Sequence, residues 1–378
     1  MAKIIAVAEN YAYGPVGKLL TVTKKLLENG HEITFIGEGT AYQLGSKESF
    51  QKIIKINTNA ENFQEEMESV FKESDFILSC MDRSSVIFAE KLNIPVIWID
   101  TLFWWYDEIP DYMLKVDCYI KQNTLNDAVN YSKYADRMKN LHSVGPIVDL
   151  SPLKSINKKN QVLVAYGGME GEGVFRVGVD SHYPYVVTDL LVNQVDFSRF
   201  DKVIITGNER VIKELELKYG NEKFIFCSLS HDKFVQELAD SKISLMVPGL
   251  ETPLEAFSYD IPTFFLPPLS SSQYVQLNDF IDRKATEMYV HFTDFYPSLN
   301  FSGKNMAEML KMYLEQLHIF ENDVTAQKTM VDKINQFINL PEMYEKQIGL
   351  QRKFMETLGG NGTKKCIDII EDFINDKN

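Results

Sequence analysis

Residues 247–267 read VPGLETPLEAFSYDIPTFFLP, and they set Gly249, Thr252, Pro253 and Glu255 at the start of a short helical pattern. Two kinds of chemistry fit this spacing. With Thr252 as N-cap, Pro253 first in the helix and Glu255 three residues after the cap, the stretch is a capping box that only starts a helix. Alternatively, the glycine and the positive helix end hold a diphosphate on backbone N–H groups, and Glu255 bonds a ribose diol instead of its own backbone. The two roles compete for the same side chains.

A second stretch, Val164-Ala-Tyr-Gly-Gly-Met-Glu-Gly-Glu-Gly173, follows a strand-like run. Gly167 and Gly168 let backbone approach a ligand or adopt positive φ. The dinucleotide fingerprint enters its helix directly, whereas here a long loop precedes a helix expected near Pro184. Glu170 and Glu172 would repel a phosphate beside them, and Arg176 could offset that. A third stretch, Trp98-Ile-Asp-Thr-Leu-Phe-Trp-Trp-Tyr-Asp107, holds all three tryptophans. It either stacks on rings and sugars or closes a core or interface. The fourth is the first loop, Glu9 to Gly17, which contains Tyr13 and Gly14.

The six histidines are scattered, and His182 stands out because it lies in the glycine loop. No His/Cys/Asp grouping has metal spacing, and neither a G-x-S-x-G elbow nor a P-loop is present. No metal and no cofactor is therefore expected. His182, Asp100 and Glu9 are candidate proton acceptors by loop position alone, since a base must reach the proton it removes.

These residues need elements to position them. Apolar, β-branched runs at 4–8, 33–36, 76–80, 96–100 and 118–121 alternate with helical patterns at 18–29, 61–73 and 84–93. Residues 144–160 break the rhythm with two prolines and polar residues, which predicts a linker. Runs at 162–166, 202–206, 223–227, 243–247 and 263–266 then restart the alternation. Strand and helix in alternation predict parallel sheets covered on both faces, here as two α/β domains with a cleft between facing strand ends. From about residue 304 onward the pattern is helical. Cys366, Ile369, Ile370 and Phe373 give the last helix an apolar face that needs a surface.

The whole chain narrows the classes further. Its 378 residues suit two domains, and a net charge of −14 argues against nucleic acid or an anionic membrane as main partner. The four dispersed cysteines predict reduced packing. There is no signal-peptide pattern and no membrane-length apolar run, so a cytoplasmic location is expected.

Together these pieces resemble the GT-B glycosyltransferases, in particular those using nucleotide-diphosphate sugars. That group includes the UDP-glycosyltransferases and the enzyme that adds N-acetylglucosamine to the lipid-linked peptidoglycan precursor. The likeness covers nearly the whole chain. Residues 20–36 look like the family's first helix and its G-H-x-V-x-F turn. Val144-Gly-Pro looks like the end of the first domain, and Gly167-Gly168 matches the first loop of the second. The strongest match runs from Gly249 through Thr252, Glu255 and Ala256 to Ile261-Pro262, Pro267 and the Gln273–Asn278 stretch. Leu358-Gly-Gly-Asn-Gly362 resembles the segment before a last helix that returns to the first domain.

The resemblance implies an α/β, GT-B fold with two Rossmann-like domains, at 1–150 and 151–345, and C-terminal helices at 346–378 packing back on the first. It implies metal-independent transfer of a sugar, uridine-linked by expectation, to a soluble small-molecule acceptor. Gly167, Gly168, Gly249 and Thr252 would bind the donor, with Glu255 on the ribose and Gln273 on the donor sugar. Tyr13, Gly14, Trp104 and Trp105 would face the acceptor. Two departures stand out. The family's usual histidine base falls on Pro15, which cannot carry a proton, and Asp260 replaces the glycine of G-x-P. Two alternatives stay open: a UDP-sugar 2-epimerase-type isomerase, and a non-catalytic partner of another glycosyltransferase. A homodimer is compatible with either.

Overall fold

A computed structural model describes residues 1–124, 127–152, 158–171, 176–177, 180–301 and 303–377. The chain divides into two compact units, one of residues 1–149 with 355–378 and one of residues 150–354.

In the first unit, β1 (Lys3–Ala8), β2 (Glu32–Gly37), β3 (Lys52–Lys55), β4 (Phe76–Cys80), β5 (Val96–Asp100), β6 (Cys118–Gln122) and β7 (Leu141–Val144) form one sheet. Its order is β3-β2-β1-β4-β5-β6-β7, and every pairing is parallel. β4, β5 and β6 are buried along their whole length. Strands covered on both faces have no solvent side to alternate with, so they read as largely apolar runs, here with Ser79, Asp100, Lys121 and Gln122 near their carboxyl ends. The edge strands β3 and β7 are only half-buried, and their mixed composition hides them from a sequence reading.

Residues 144–149, expected to be linker, are buried instead. Gln122 Oε1 accepts from Ile147 N at 2.8 Å, and Pro146 O accepts from Gly362 N at 2.7 Å. A Cβ on Gly145 would fall 2.1 Å from Gly360 O, and one on Gly362 would fall 2.2 Å from Gly145 O. The two glycine motifs are where two backbone segments touch, which no side chain permits. That contact launches the helix Thr363–Lys377, whose Cys366, Ile367, Ile370 and Ile374 enter the core beside Val16 and Leu19.

In the second unit, β8 (Gln161–Ala165), β9 (Lys202–Thr206), β10 (Phe224–Cys227), β11 (Ile243–Met246) and β12 (Thr263–Phe265) form a parallel sheet of order β10-β9-β8-β11-β12. The helix Glu342–Thr357 belongs here for most of its length, with Phe354 packed edge-on to Phe257 and Phe280. Among the described residues, no helix is long and apolar enough to cross a membrane.

Candidate functional site

Open parallel sheets bind ligands outside the strands' carboxyl ends, where the strand order reverses. In the second sheet that point lies between β8 and β11. The loops leaving these strands are the two stretches with the strongest sequence signal, so topology brings Gly167 and Gly168 beside Gly249, Thr252 and Glu255.

The loop after β8 is braced from one side. Gly167 has φ +69° and Met169 φ +58°. A Cβ on Gly207 would stand 3.0 Å from Met169 and 3.2 Å from Gly167 O, so the loop after β9 lies directly against the glycine loop. Asn208, fully buried, caps the helix Glu209–Tyr219 by accepting from Arg210 N, while its Nδ2 donates to Gly168 O at 3.2 Å and Glu170 Oε1 at 2.9 Å. Arg210 pairs with the same carboxylate at 3.5 Å. Glu170 is thus held by Asn208 and Arg210, and Arg176 pairs with Asp180 instead. Glu172 and Gly173 lie outside the described residues. Asn208 and Gly207 escaped the sequence reading, although Gly-Asn between strand and helix is a cap signal. Replacing Asn208 by Ala is expected to cost about 1–2 kcal/mol, read as a lower urea midpoint, because a cap and two loop contacts go together.

The loop after β11 differs from its expected form. The helix is Thr252–Ser258, its N-cap is Glu251, and no side chain caps it. Thr252 is therefore the first helical residue, and the capping box does not form. The reason is visible in Glu255. Its fully buried carboxylate is engaged by a tertiary partner, with Oε1 3.0 Å from His231 Nε2. Oε2 is buried without a hydrogen-bond partner. His231 opens the helix His231–Asp240 and is itself buried, and its Nε2 is 4.0 Å from Glu251 Oε1. Gln273, expected near the donor sugar, sits in the first turn of the helix Ser271–Asp282, and its Oε1 accepts from Leu269 N at 2.7 Å.

In the first unit the strand order reverses between β1 and β4. Glu9 follows β1 and is half-buried. Asp100 ends β5, fully buried, with Oδ1 accepting from Leu102 N at 2.6 Å and Oδ2 from Tyr119 OH. Burial outweighs these hydrogen bonds and pushes its carboxyl up to about 6. The aromatic turn after Asp100 is tied down by Asn130, whose Nδ2 donates to Phe103 O at 2.7 Å and Tyr106 O at 2.8 Å. Trp98 is core, whereas Trp104 and Trp105 are half-buried, edge to face at 5.2 Å. Tyr13 precedes the helix Gly14–Glu28 and donates to Gln43 Oε1 at 3.1 Å. His182, in the second unit, is exposed beside Glu321 at 3.5 Å. Gly167, Gly168, Gly249, Thr252 and Glu255 thus lie on the loops and short helix at one switch point, Gln273 lies on the helix after β12, and Glu9, Asp100 and the aromatic turn lie at strand ends of the other sheet.

No family model matches the chain, and no curated protein matches it. Solved structures do. MurG of Acinetobacter baumannii superposes at TM-score 0.52 with 12% identity, over 98% of this chain and 100% of that one. Looser likenesses include UGT89C1 of Arabidopsis thaliana complexed with UDP, at TM-score 0.48, 10% identity and coverage of 95% and 100%. The calicheamicin glycosyltransferase CalG4 follows at TM-score 0.46, 10% identity and coverage of 99% and 98%. At such identities the comparison speaks to fold alone. Two parallel Rossmann-like sheets in one chain, matched end to end by MurG, show that this protein has the GT-B glycosyltransferase fold.

Proposed function

We propose that the protein is a glycosyltransferase that moves a sugar from a nucleotide-diphosphate donor, uridine-linked, to a soluble small-molecule acceptor. The observation that carries this reading is Glu255, a fully buried carboxylate at the second sheet's switch point with one oxygen unpaired. A buried charged oxygen left unsatisfied is costly, and a ribose hydroxyl donating to it removes that cost. Backbone N–H groups around Gly249 and Thr252, with the Gly167-Gly168 loop beside them, take the diphosphate as it leaves and stabilise its growing charge. Gln273, its Oε1 held by Leu269 N, would offer its Nε2 to the donor sugar.

In the transfer, an acceptor oxygen attacks the anomeric carbon, the bond to the diphosphate breaks, and the acceptor's proton passes to a base. Of the three candidates, Asp100 has a proton affinity close to that needed near neutral pH. Tyr13, Gly14, Trp104 and Trp105 contribute to holding the acceptor.

Thermal unfolding of the purified protein with UDP, TDP, GDP and their common sugars tests this, in EDTA and with divalent cations. A ligand bound only by the folded state raises the apparent melting temperature, by about 2.7 kcal/mol of stability at a hundredfold excess over Kd. UDP and a UDP-sugar are expected to raise it. No shift with any nucleotide in either condition overturns the donor site and leaves the non-catalytic partner.

A further inference from the structure

We propose that Tyr119 is a positioning residue for Asp100, fixing its carboxylate and keeping it ionised, and so able to take a proton, near neutral pH. Its part in the reaction rests on Asp100 being the base, whereas its hold on the carboxyl stands without that reading. Asp100 on β5 and Tyr119 on β6 share a face of the sheet. Trp98 pairs with Tyr119 and Asp100 with Lys121 across these parallel strands, and alternate side chains of a strand point the same way. Both residues are buried. The Tyr119 hydroxyl donates to Asp100 Oδ2, and Leu102 N donates to Oδ1 at 2.6 Å. Phe103 packs edge-on to the Tyr119 ring at 5.8 Å, which limits where the hydroxyl can point.

The other groups around the carboxyl do not replace this contact. The ammonium of Lys121 goes to Asp127 at 2.6 Å and to Asn123 at 3.3 Å. Burial favours the neutral carboxyl and outweighs everything else. Tyr119 is the largest pull the other way, then Leu102 N and the Trp98 indole, and the Asp127 carboxylate adds a smaller push toward the neutral form. Tyr106 and Tyr112 also face Asp100, and burial above all holds both phenols above their ordinary value, so they carry no charge. Glu9 stands beside both phenols, Cys80 beside Tyr106, and Arg83 and Asp82 beside Tyr112. Tyr119 is itself held well above the ordinary phenol value, by burial first and the Asp100 charge next, so it stays a donor at every working pH. A donor bonds a carboxylate more strongly than a neutral carboxyl. Without Tyr119, burial is less opposed and the proton stays on Asp100 into the neutral range. A protonated carboxyl takes no proton from an attacking hydroxyl.

The full chain with ¹³Cγ-labelled aspartate is titrated by nuclear magnetic resonance, Asp100 being the signal absent from Asp100→Asn. Its midpoint is expected at about 6 in wild type and about 1–2 pH units higher in Tyr119→Phe, the worth of a hydrogen bond to a charged group. A merely structural role gives the opposite result, because a loosened core admits water and brings the midpoint down toward the ordinary 3.8. A midpoint unchanged or lowered in Tyr119→Phe overturns the hold. Should either variant unfold, wild type labelled with ¹³Cζ-tyrosine decides. A tyrosine signal stepping with the same midpoint as a carboxyl near 6 supports the contact, and no such step overturns it. Turnover of a UDP-sugar separates the two readings. The acid limb of kcat/KM is expected to move up with the carboxyl. A carboxyl that moves while the acid limb stays removes Asp100 as the base, and with it the part of Tyr119 in the reaction.

Discussion

Replacing Glu255 by glutamine is expected to weaken UDP binding by about 10- to 150-fold while leaving the melting temperature close to that of wild type. The affinity loss follows from trading a carboxylate for an amide opposite a ribose hydroxyl, since a hydrogen bond to a charged group contributes about 1.5–3 kcal/mol. Stability holds because Glu255 does not cap its helix; Glu251 is the N-cap and no side chain serves it. A glutamine carbonyl can also accept from His231 in place of Oε1. Calorimetry with UDP, in EDTA so that bound metal plays no part, reads the first quantity, and a thermal melt reads the second. Unchanged affinity with a lower melting temperature would make Glu255 a structural residue.

Asp100→Asn is expected to act through pH. The folded protein holds the Asp100 proton up to about 6, above the ordinary value of 3.8, because burial disfavours the charged form. Below about pH 4 the group is protonated whether the chain is folded or unfolded, and its contribution is fully present. As pH rises from about 4 to about 6 the unfolded chain ionises first, and stability falls. Above that range the loss is complete, on the order of 3 kcal/mol. The asparagine variant lacks this loss. Its stability relative to wild type should therefore rise across this window and stay higher at pH 7.5, less whatever its additional amide N–H costs. Urea midpoints of both proteins at pH 4, 5, 6 and 7.5 give that difference. If Asp100 is also the base, the variant loses turnover by about 10²- to 10⁴-fold yet binds UDP as before. Turnover equal to wild type would move the base to Glu9 or His182.

How far the molecule could be read in advance depended on what each residue answers to. β4 and β5 lie where their apolar runs predicted them, because full burial makes a strand's composition unmistakable. β3 and β7 escaped because an edge strand need not be apolar on both faces. The Gly145-Pro146 and Gly359–Gly362 motifs were visible, but their reason, backbone against backbone, is a contact across more than two hundred residues. At the candidate site, the spacing of Gly249, Thr252 and Glu255 marked the helix start. The N-cap came one residue earlier than expected because Glu255 answers to His231, a tertiary partner no local pattern records. Asn130, which fixes the aromatic turn, escaped for the same reason, whereas Asn208 carried a local cap signal and only its hold on the glycine loop is tertiary.

The central claim is that the second unit binds a uridine diphosphate at the switch point between β8 and β11. A crystal structure of the protein grown with UDP tests it most directly. The account predicts ribose hydroxyls within hydrogen-bond distance of the Glu255 carboxylate, with the diphosphate against the backbone of Gly249–Thr252 and beside Gly167-Gly168. UDP bound at another place, or none at a saturating concentration, would contradict it.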